Sequence, residues 1–263
     1  MSGFFGTDAQ IALQRLTLEK RALIDETPGL YNAGRFYGTD DPDRIGWDGI
    51  DAILREQGML GLRMVSPAQR SAYSPGLAAR GFRFDTWDTM IADRETMRPK
   101  IDAILANGLP DGLVLAPALT DAEGAATRRV QQFVSDAGIV PFPGALLIEA
   151  PGQASVTVAD RDGNPVAFAN GCFPHNRFSP HHRSAWVGLV AVDPKARGLG
   201  LGKIVNALAI RRMVEEFGAE RVYELVSSSN EASRRMVEAC GPTVDATLLC
   251  GSVVPDGAQR FTR

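Results

Sequence analysis

The chain has 263 residues, 44% of them hydrophobic and 22% charged, with a formal net charge of -3. This balance excludes a disordered or collagen-like chain and allows one large domain or two small ones. No Lys/Arg-rich run argues for nucleic acid, and no apolar stretch approaches the length of a membrane span. The N-terminus, Met-Ser-Gly-Phe-Phe-Gly-Thr-Asp, lacks a basic flank and an apolar core, so no secretory signal is expected. Cys172, Cys240 and Cys250 form an odd, sparse set. They read as reduced thiols of a cytoplasmic protein.

A helix is predicted over 8–26, carrying Ile11, Leu13, Leu16, Leu18 and Leu23. Pro28-Gly29 then opens a polar, aromatic stretch through Gly46. Asp40, Asp41 and Asp43 do not match an EF-hand and are interrupted by Pro42, so they read as a turn or helix cap. Tyr31, Phe36, Tyr37 and Trp47 read as buried packing, with pocket lining as the alternative. The spacing next predicts a helix over 47–57, a strand over 59–65, a short helix over 71–79, an alternating strand over 82–90 and a connecting helix over 93–106.

The second half opens with a strand over 112–117 and a helix from a Thr120-Asp121 cap to about 137, carrying Val130, Phe133 and Val134. After the rigid turn Pro141-Phe142-Pro143-Gly144, strands are predicted over 145–150, 154–160 and 165–172. Asp162-Gly163-Asn164 gives the last two a hairpin signal. The loop 173–184 holds all three histidines, His175, His181 and His182. With Cys172 they form C-x-x-H…H-H, which matches no standard zinc spacing, and no metal is expected. A histidine here suits proton transfer, because imidazole titrates near neutrality. A plain exposed loop is the default reading of the segment.

Ala185 to Val192 is uncharged and ends at Asp193-Pro194, the pattern of a buried strand. Gly198, Gly200 and Gly202 follow at alternate positions, and a helix begins near Lys203. Its core face is Ile210, Met213, Val214 and Phe217, and Gly218 suits its stop. A strand, a glycine loop and a helix N-terminus make an anion site, because the first helical N–H groups lack partners and glycine lets a phosphate approach the backbone. Arg197, Lys203 and nearby Lys195 add cations. The P-loop spacing fails at Arg197 and Ile204, and G-x-G-x-x-G fails at Lys203 and Val205. The pattern that fits is Arg197-x-x-Gly200-x-Gly202 after Val192-Asp193-Pro194. A strand over 221–227 then leads to Asn230-x-x-Ser233, with Gly241 eleven residues after Asn230. Helix capping is the simpler reading of Asn230, and Ser228-x-x-Glu231 fits a capping box.

These two blocks, in this order and spacing, resemble the acyl-CoA pyrophosphate loop and the following helix of the GNAT N-acetyltransferase superfamily. The resemblance covers residues 110–254 and is specific in 185–241. It implies an α/β (α+β) fold, a mixed, mostly antiparallel central sheet flanked by helices, with an additional N-terminal α/β domain. The expected division is 1–108 and 109–263. The strand, short helix, Gly81-Phe82 and strand of the first part resemble the closing half of a GNAT domain, a degenerate or partial repeat with no Arg-x-x-Gly-x-Gly counterpart.

The resemblance further implies acetyl-CoA as co-substrate and an amine as acceptor, a small molecule or a peptide N-terminus; the composition and the spacings above predict no metal, nucleic acid or membrane partner. Carried over residue by residue, the acetyl-CoA site comprises Val190 and Val192 through main-chain groups, Arg197, Gly198, Gly200, Gly202, Lys203, Asn230 and Ser233. A backbone N–H within 189–192 is expected to bind the thioester carbonyl. The sequence departs from its relatives where many have Glu on the central strand, here Gly188, and Tyr seven residues after the Asn, here Val237. Pro242 replaces the aromatic expected after Gly241. Candidate acid and base groups are therefore Glu224, Tyr223 and His181, with His182 beside it. Cys250 reads as packing rather than as a nucleophile. Two rivals stand beside the acetyltransferase: a catalytically degenerate acyl-CoA-binding or sensing module, and an enzyme of the same fold using a longer acyl-CoA.

Overall fold

The computed structural model describes residues 2–258. Local side-chain chemistry sets where its helices start. Thr7 and Ser66 each close a capping box, ahead of α1 (Asp8–Glu19) and α4 (Pro67–Ala78). Asp41 caps α3 (Pro42–Gln57), and Asp93 caps α5 (Arg94–Leu105). Each such oxygen satisfies an N–H that the first helical turn leaves unpaired, worth ~1 kcal/mol. The helix expected over 8–26 is broken at Lys20, and α2 (Arg21–Glu26) continues from it. α3 starts earlier than expected because Pro42 fits its first turn, and it kinks at Gly46, whose φ of 60° is left-handed.

The strands are β1 (Leu30–Asn32), β2 (Tyr37–Thr39), β3 (Leu60–Val65), β4 (Phe82–Asp93), β5 (Val114–Leu115), β6 (Gln153–Ala159), β7 (Pro165–Cys172), β8 (Ser184–Val192), β9 (Arg221–Val226) and β10 (Thr243–Pro255). The remaining helices are α6 (Ala125–Asp136), α7 (Leu201–Arg211), which runs into a π turn at Arg212–Glu216, and α8 (Glu231–Cys240). Three expectations are corrected. The strand over 145–150 is a 3-10 turn at Gly144–Leu146, because the N–H groups of Gly144 and Ala145 donate to the Gly3 and Ser2 carbonyls instead of to a ladder. The strand over 112–117 shrinks to β5. The helix expected from Thr120 starts only at Ala125, because the Asp121 carbonyl accepts from Gly124 N and its side chain from Glu123 N, closing a turn first.

All these strands form one sheet, in the order β1-β2-β3-β10-β4-β9-β8-β7-β6-β5. Most neighbours are antiparallel. The parallel exceptions are β2 with β3 and β8 with β9. Each parallel pair is joined through a helix, α3 or α7. Each is then followed by another helix, α4 or α8, and by a long strand, β4 or β10. β10 inserts between β3 and β4, and β4 inserts between β10 and β9. The two halves thus repeat one order of elements and exchange their last strands at the centre of the sheet.

The sheet has two apolar faces. On one, α5, α7 and Cys240 of α8 pack over Val156, Ala167, Ala185, Val187 and Val222. On the other, Val130 and Val134 of α6, with Phe142, cover Phe168, Trp186, Leu189 and Tyr223. Farther along the sheet, Ile50, Ile53 and Leu54 of α3 and Leu77 of α4 pack on Leu60, Leu62 and Val253.

Candidate active site

β8 and β9 stay paired only from Ser184–Arg221 through Ala185–Val222 to Trp186–Tyr223. Beyond that vertex β8 runs on to Val192 and β9 to Val226 without pairing to each other, so the sheet opens into a splay. A bulge sits on β8 at the splay. Gly188 pairs with Asn170 and Ala191 with Phe168, leaving two β8 residues opposite one on β7, and Leu189 takes a φ of 54°. Left-handed backbone at a β-branched or bulky residue is strained, and such strain gathers at functional sites. The bulge also shifts the side-chain alternation. Leu189 and Ala191 join Trp186 on the α6 face, while Val190 and Val192 pack toward α7.

The glycine loop lies at the mouth of the splay. Asp193 accepts from Lys195 N and closes a short turn at Pro194–Ala196. Gly198 and Gly200 have φ of 85° and 76°, so a left-handed turn delivers the chain into α7. Gly200 is the N-cap and offers no side-chain acceptor, leaving the first N–H groups of α7 without one. Gly202 lies in the first turn, where an added Cβ would stand 3.2 Å from Met236 Sδ of α8. Arg197 and Lys203 are exposed beside this helix end. Asn230 caps α8 by accepting from Ser233 N at 3.0 Å. The cap is therefore Asn230 rather than the Ser228-x-x-Glu231 box. The helix starts at Glu231, which fixes Asn230 as its N-cap residue. The strands carry both helix starts, α7 and α8, to the open end of the splay.

The acid and base candidates are divided by the sheet. Tyr223 and Glu224 are neighbours on β9 and face opposite sides. Glu224 lies under α7, accepts from Asn206 Nδ2 at 2.8 Å, and is 3% exposed. Burial pushes its carboxyl up to about 8, with Asn206 opposing. Tyr223 is wholly buried on the other face and takes part in a polar network that the sequence did not reveal. Arg63 Nη1 of β3 donates to Tyr223 Oη at 3.0 Å. His175 Nε2 lies 3.1 Å from the same oxygen, and His175 Nδ1 lies 2.6 Å from Asp40 Oδ2. Ser179 Oγ donates to Asp40 Oδ2 at 2.6 Å. His181 is half-buried, its ring 5.6 Å from the His175 ring, and its backbone N–H donates to Ser179 Oγ at 3.0 Å. His182 is exposed.

The 173–184 loop is therefore not a plain exposed loop. Asn176 Nδ2 donates to the carbonyls of Ile24, Thr27 and Leu30, and the Pro174 carbonyl accepts from Asn32 N. Asp41 caps α3 and Asp40 turns back to His175, which resolves these two members of the acidic cluster as a cap and a hydrogen-bond partner. Tyr31, Phe36 and Tyr37 are buried, and Trp47 stacks on Tyr73 at 5.3 Å. Cys250 is buried with its thiol pushed up by desolvation, and it accepts from Met64 N. Among the described residues no three His, Cys, Asp or Glu side chains converge as a metal site. No helix among the described residues is long and apolar enough to cross a membrane.

Gly188 shows why the carboxylate expected there is missing. A Cβ at this position would stand 2.3 Å from Trp186 Cζ2, so the indole occupies the space a side chain would need. The indole is packed against Phe142 and lies beneath the Arg63 guanidinium.

A mixed sheet that splays between two parallel strands, with an uncapped glycine-rich helix start at the mouth, is the arrangement of the GNAT fold. Residues 130–241 match the model of the Acetyltransferase (GNAT) family. Its fold is similar to that of a GCN5-related N-acetyltransferase from Kribbella flavida, at a TM-score of 0.58 and 16% identity over 97% of this chain and 98% of that one. It is also similar to a protein from Novosphingobium aromaticivorans described within the GNAT family, at a TM-score of 0.53 and 15% identity over 92% of this chain and 96% of that one. A GCN5-related N-acetyltransferase-like protein from Streptococcus suis aligns at a TM-score of 0.50 and 17% identity over 79% of this chain and 74% of that one. No curated protein matches the chain in sequence.

Proposed function

We propose that the chain transfers an acetyl group from acetyl-CoA to an amine, a small molecule or a peptide N-terminus. The observation that carries this reading is the splay between β8 and β9 with the uncapped start of α7 at its mouth. The pyrophosphate would rest on the α7 N–H groups, with Arg197 and Lys203 as counter-charges and Gly198, Gly200 and Gly202 giving it room. The pantetheine arm would run along the unpaired edges of Val190 and Val192, steadied by Asn230 and Ser233. The thioester would then lie by the Leu189 bulge, where a backbone N–H can polarise its carbonyl. Holding amine and thioester together and stabilising the developing oxyanion supply much of the rate without a charged side chain.

One observation favours a second reading, a binding or sensing module without turnover. Trp186 fills the place of the carboxylate at Gly188. The test is an acetyl-CoA titration followed by an assay of thiol release over a panel of amines. Thiol release with any amine supports the enzyme. Binding without release over the whole panel supports the module.

A further inference from the structure

Gly188 removes the usual proton acceptor, and the amine must still lose a proton to become an amide. The structure offers a replacement assembled from three distant parts of the chain. We propose that Tyr223, whose backbone pairs with Trp186 at the vertex of the splay, is the splay-side end of a buried proton relay that runs from its Oη through His175 to Asp40, with Arg63 fixing the phenol. The proposal rests on the acyl-transfer reading above.

The direction of each hydrogen bond follows from its donors. Arg63 can only donate, so Tyr223 Oη accepts from it, at 3.0 Å. The phenol's own hydrogen then points to His175 Nε2, 3.1 Å away. A neutral His175 therefore carries its proton on Nδ1 and gives it to Asp40 Oδ2 at 2.6 Å. Ser179 holds the same carboxylate oxygen. A hydroxyl, an imidazole and a carboxylate in series is the arrangement by which a base is oriented and its cation stabilised. Burial holds His175 below its ordinary value, with Asp40 opposing and Arg63 adding to the effect, so the imidazole is neutral and ready to accept at neutral pH. The other groups facing it are Tyr31 of β1 and His181 of its own loop.

The proton balance closes within the site. The amine nitrogen bonds to the thioester carbon, and its N–H proton passes to Tyr223 Oη as the phenolic proton passes to His175 Nε2. The imidazolium faces Asp40. When the C–S bond breaks, the electron pair leaves on sulfur. The stored proton then returns through Tyr223 to the thiolate, giving free CoA thiol. Asp40 and Arg63 are positioning residues, since they act through His175 and Tyr223.

The experiment is a pH profile of turnover with acetyl-CoA and an accepting amine, for wild type, His175→Gln and Asn176→Ala. The Gln side chain can still accept from Tyr223 but cannot hold the proton. The expected result is a wild-type kcat with an acid limb that lies below the ordinary imidazole range, as His175 protonates. His175→Gln should lower kcat about 100-fold, leave KM for acetyl-CoA unchanged and lose the acid limb. Asn176→Ala, which loosens the same loop without touching the relay, should lower thermal stability and keep the limb. If His175→Gln does not fold, Tyr223→Phe removes the hydroxyl alone and should lower kcat likewise. Full kcat with an intact acid limb in either relay variant overturns the relay while leaving acyl transfer standing. A wild type that turns over no amine overturns both.

Discussion

At the scale of single residues, Glu224 and Tyr223 show how one strand can hold two titratable groups in unlike settings. Glu224 is neutral at neutral pH because burial raises its carboxyl from 4.5 to about 8. Between those values the folded protein keeps a proton that the unfolded chain has lost, so stability falls as pH rises through that window. Glu224→Gln keeps the neutral shape and removes the titration. Urea denaturation at pH 6 and pH 8.5 should show wild type losing stability between the two, on the order of a few kcal/mol, and the variant losing far less. An equal loss in both would place the source elsewhere. The same substitution tests Glu224 as a base. A base with that value would give a turnover that rises with pH toward about 8 and a variant without that rise. Tyr223 was legible in the sequence only as a residue on the right strand. Arg63, Asp40 and His175 were not legible as its partners. They lie 160, 183 and 48 residues away, and no local spacing encodes a contact made through a sheet. His175 was visible as one of three histidines, but it lies between Pro174 and Asn176 with nothing to rank it above His181.

At the scale of elements, the segment from β8 to α8 was the readable part, because its signals are local. An apolar run ended by Asp-Pro, alternate glycines and an Asn-led helix each act within a few residues. The structure places them at Ser184–Val192, at a left-handed turn through Gly198 and Gly200, and at Asn230 ahead of Glu231. The failures occur where long-range contacts decide. The 145–150 segment has strand composition, but its amides are taken by the first residues of the chain. The β8 bulge was likewise hidden, since Leu189 bears no mark of a left-handed backbone. That strand also carries a prediction. Gly188→Glu would restore the missing carboxylate, but its Cβ would meet the Trp186 indole. The variant should lose ~1–3 kcal/mol of stability from overpacking and gain no turnover. A Gly188→Glu protein as stable as wild type and faster would show that the glycine, rather than the relay, limits the chemistry.

At the scale of the whole molecule, the exchange of β4 and β10 makes the two halves depend on each other. β4 runs from Phe82 to Asp93 and is the strand between β9 and β10. Residues 109–263 produced alone would lack it, leaving the edge of β9 open and Val226 and Val237 without the Met90 they pack against. Arg234 of α8 would also lose Asp88. That fragment should be aggregated or largely unfolded by circular dichroism, whereas the full chain should unfold in one cooperative transition; a fragment with native-like cooperativity would show that the C-terminal half folds by itself. The first half repeats the element order of the second but not its chemistry. Where the second half has Arg197 and Lys203 beside an uncapped helix, the first has Asp41 capping α3 and Asp43 in its first turn. Carboxylates at that place repel a phosphate. The first half instead supplies Asp40 and Arg63 to the other face of the sheet, beneath the vertex of the splay.

Acetyl-CoA binding at the splay and the α7 helix start underlies every functional step proposed above. The direct measurement is calorimetric titration of acetyl-CoA into wild type and into the Arg197→Glu, Lys203→Glu double variant, whose exposed side chains leave the fold untouched. The expected result is saturable one-site binding by wild type and a loss of about tenfold or more in the variant, ~1.4 kcal/mol or above. Equal affinity in the two proteins, or no binding by wild type, would contradict it.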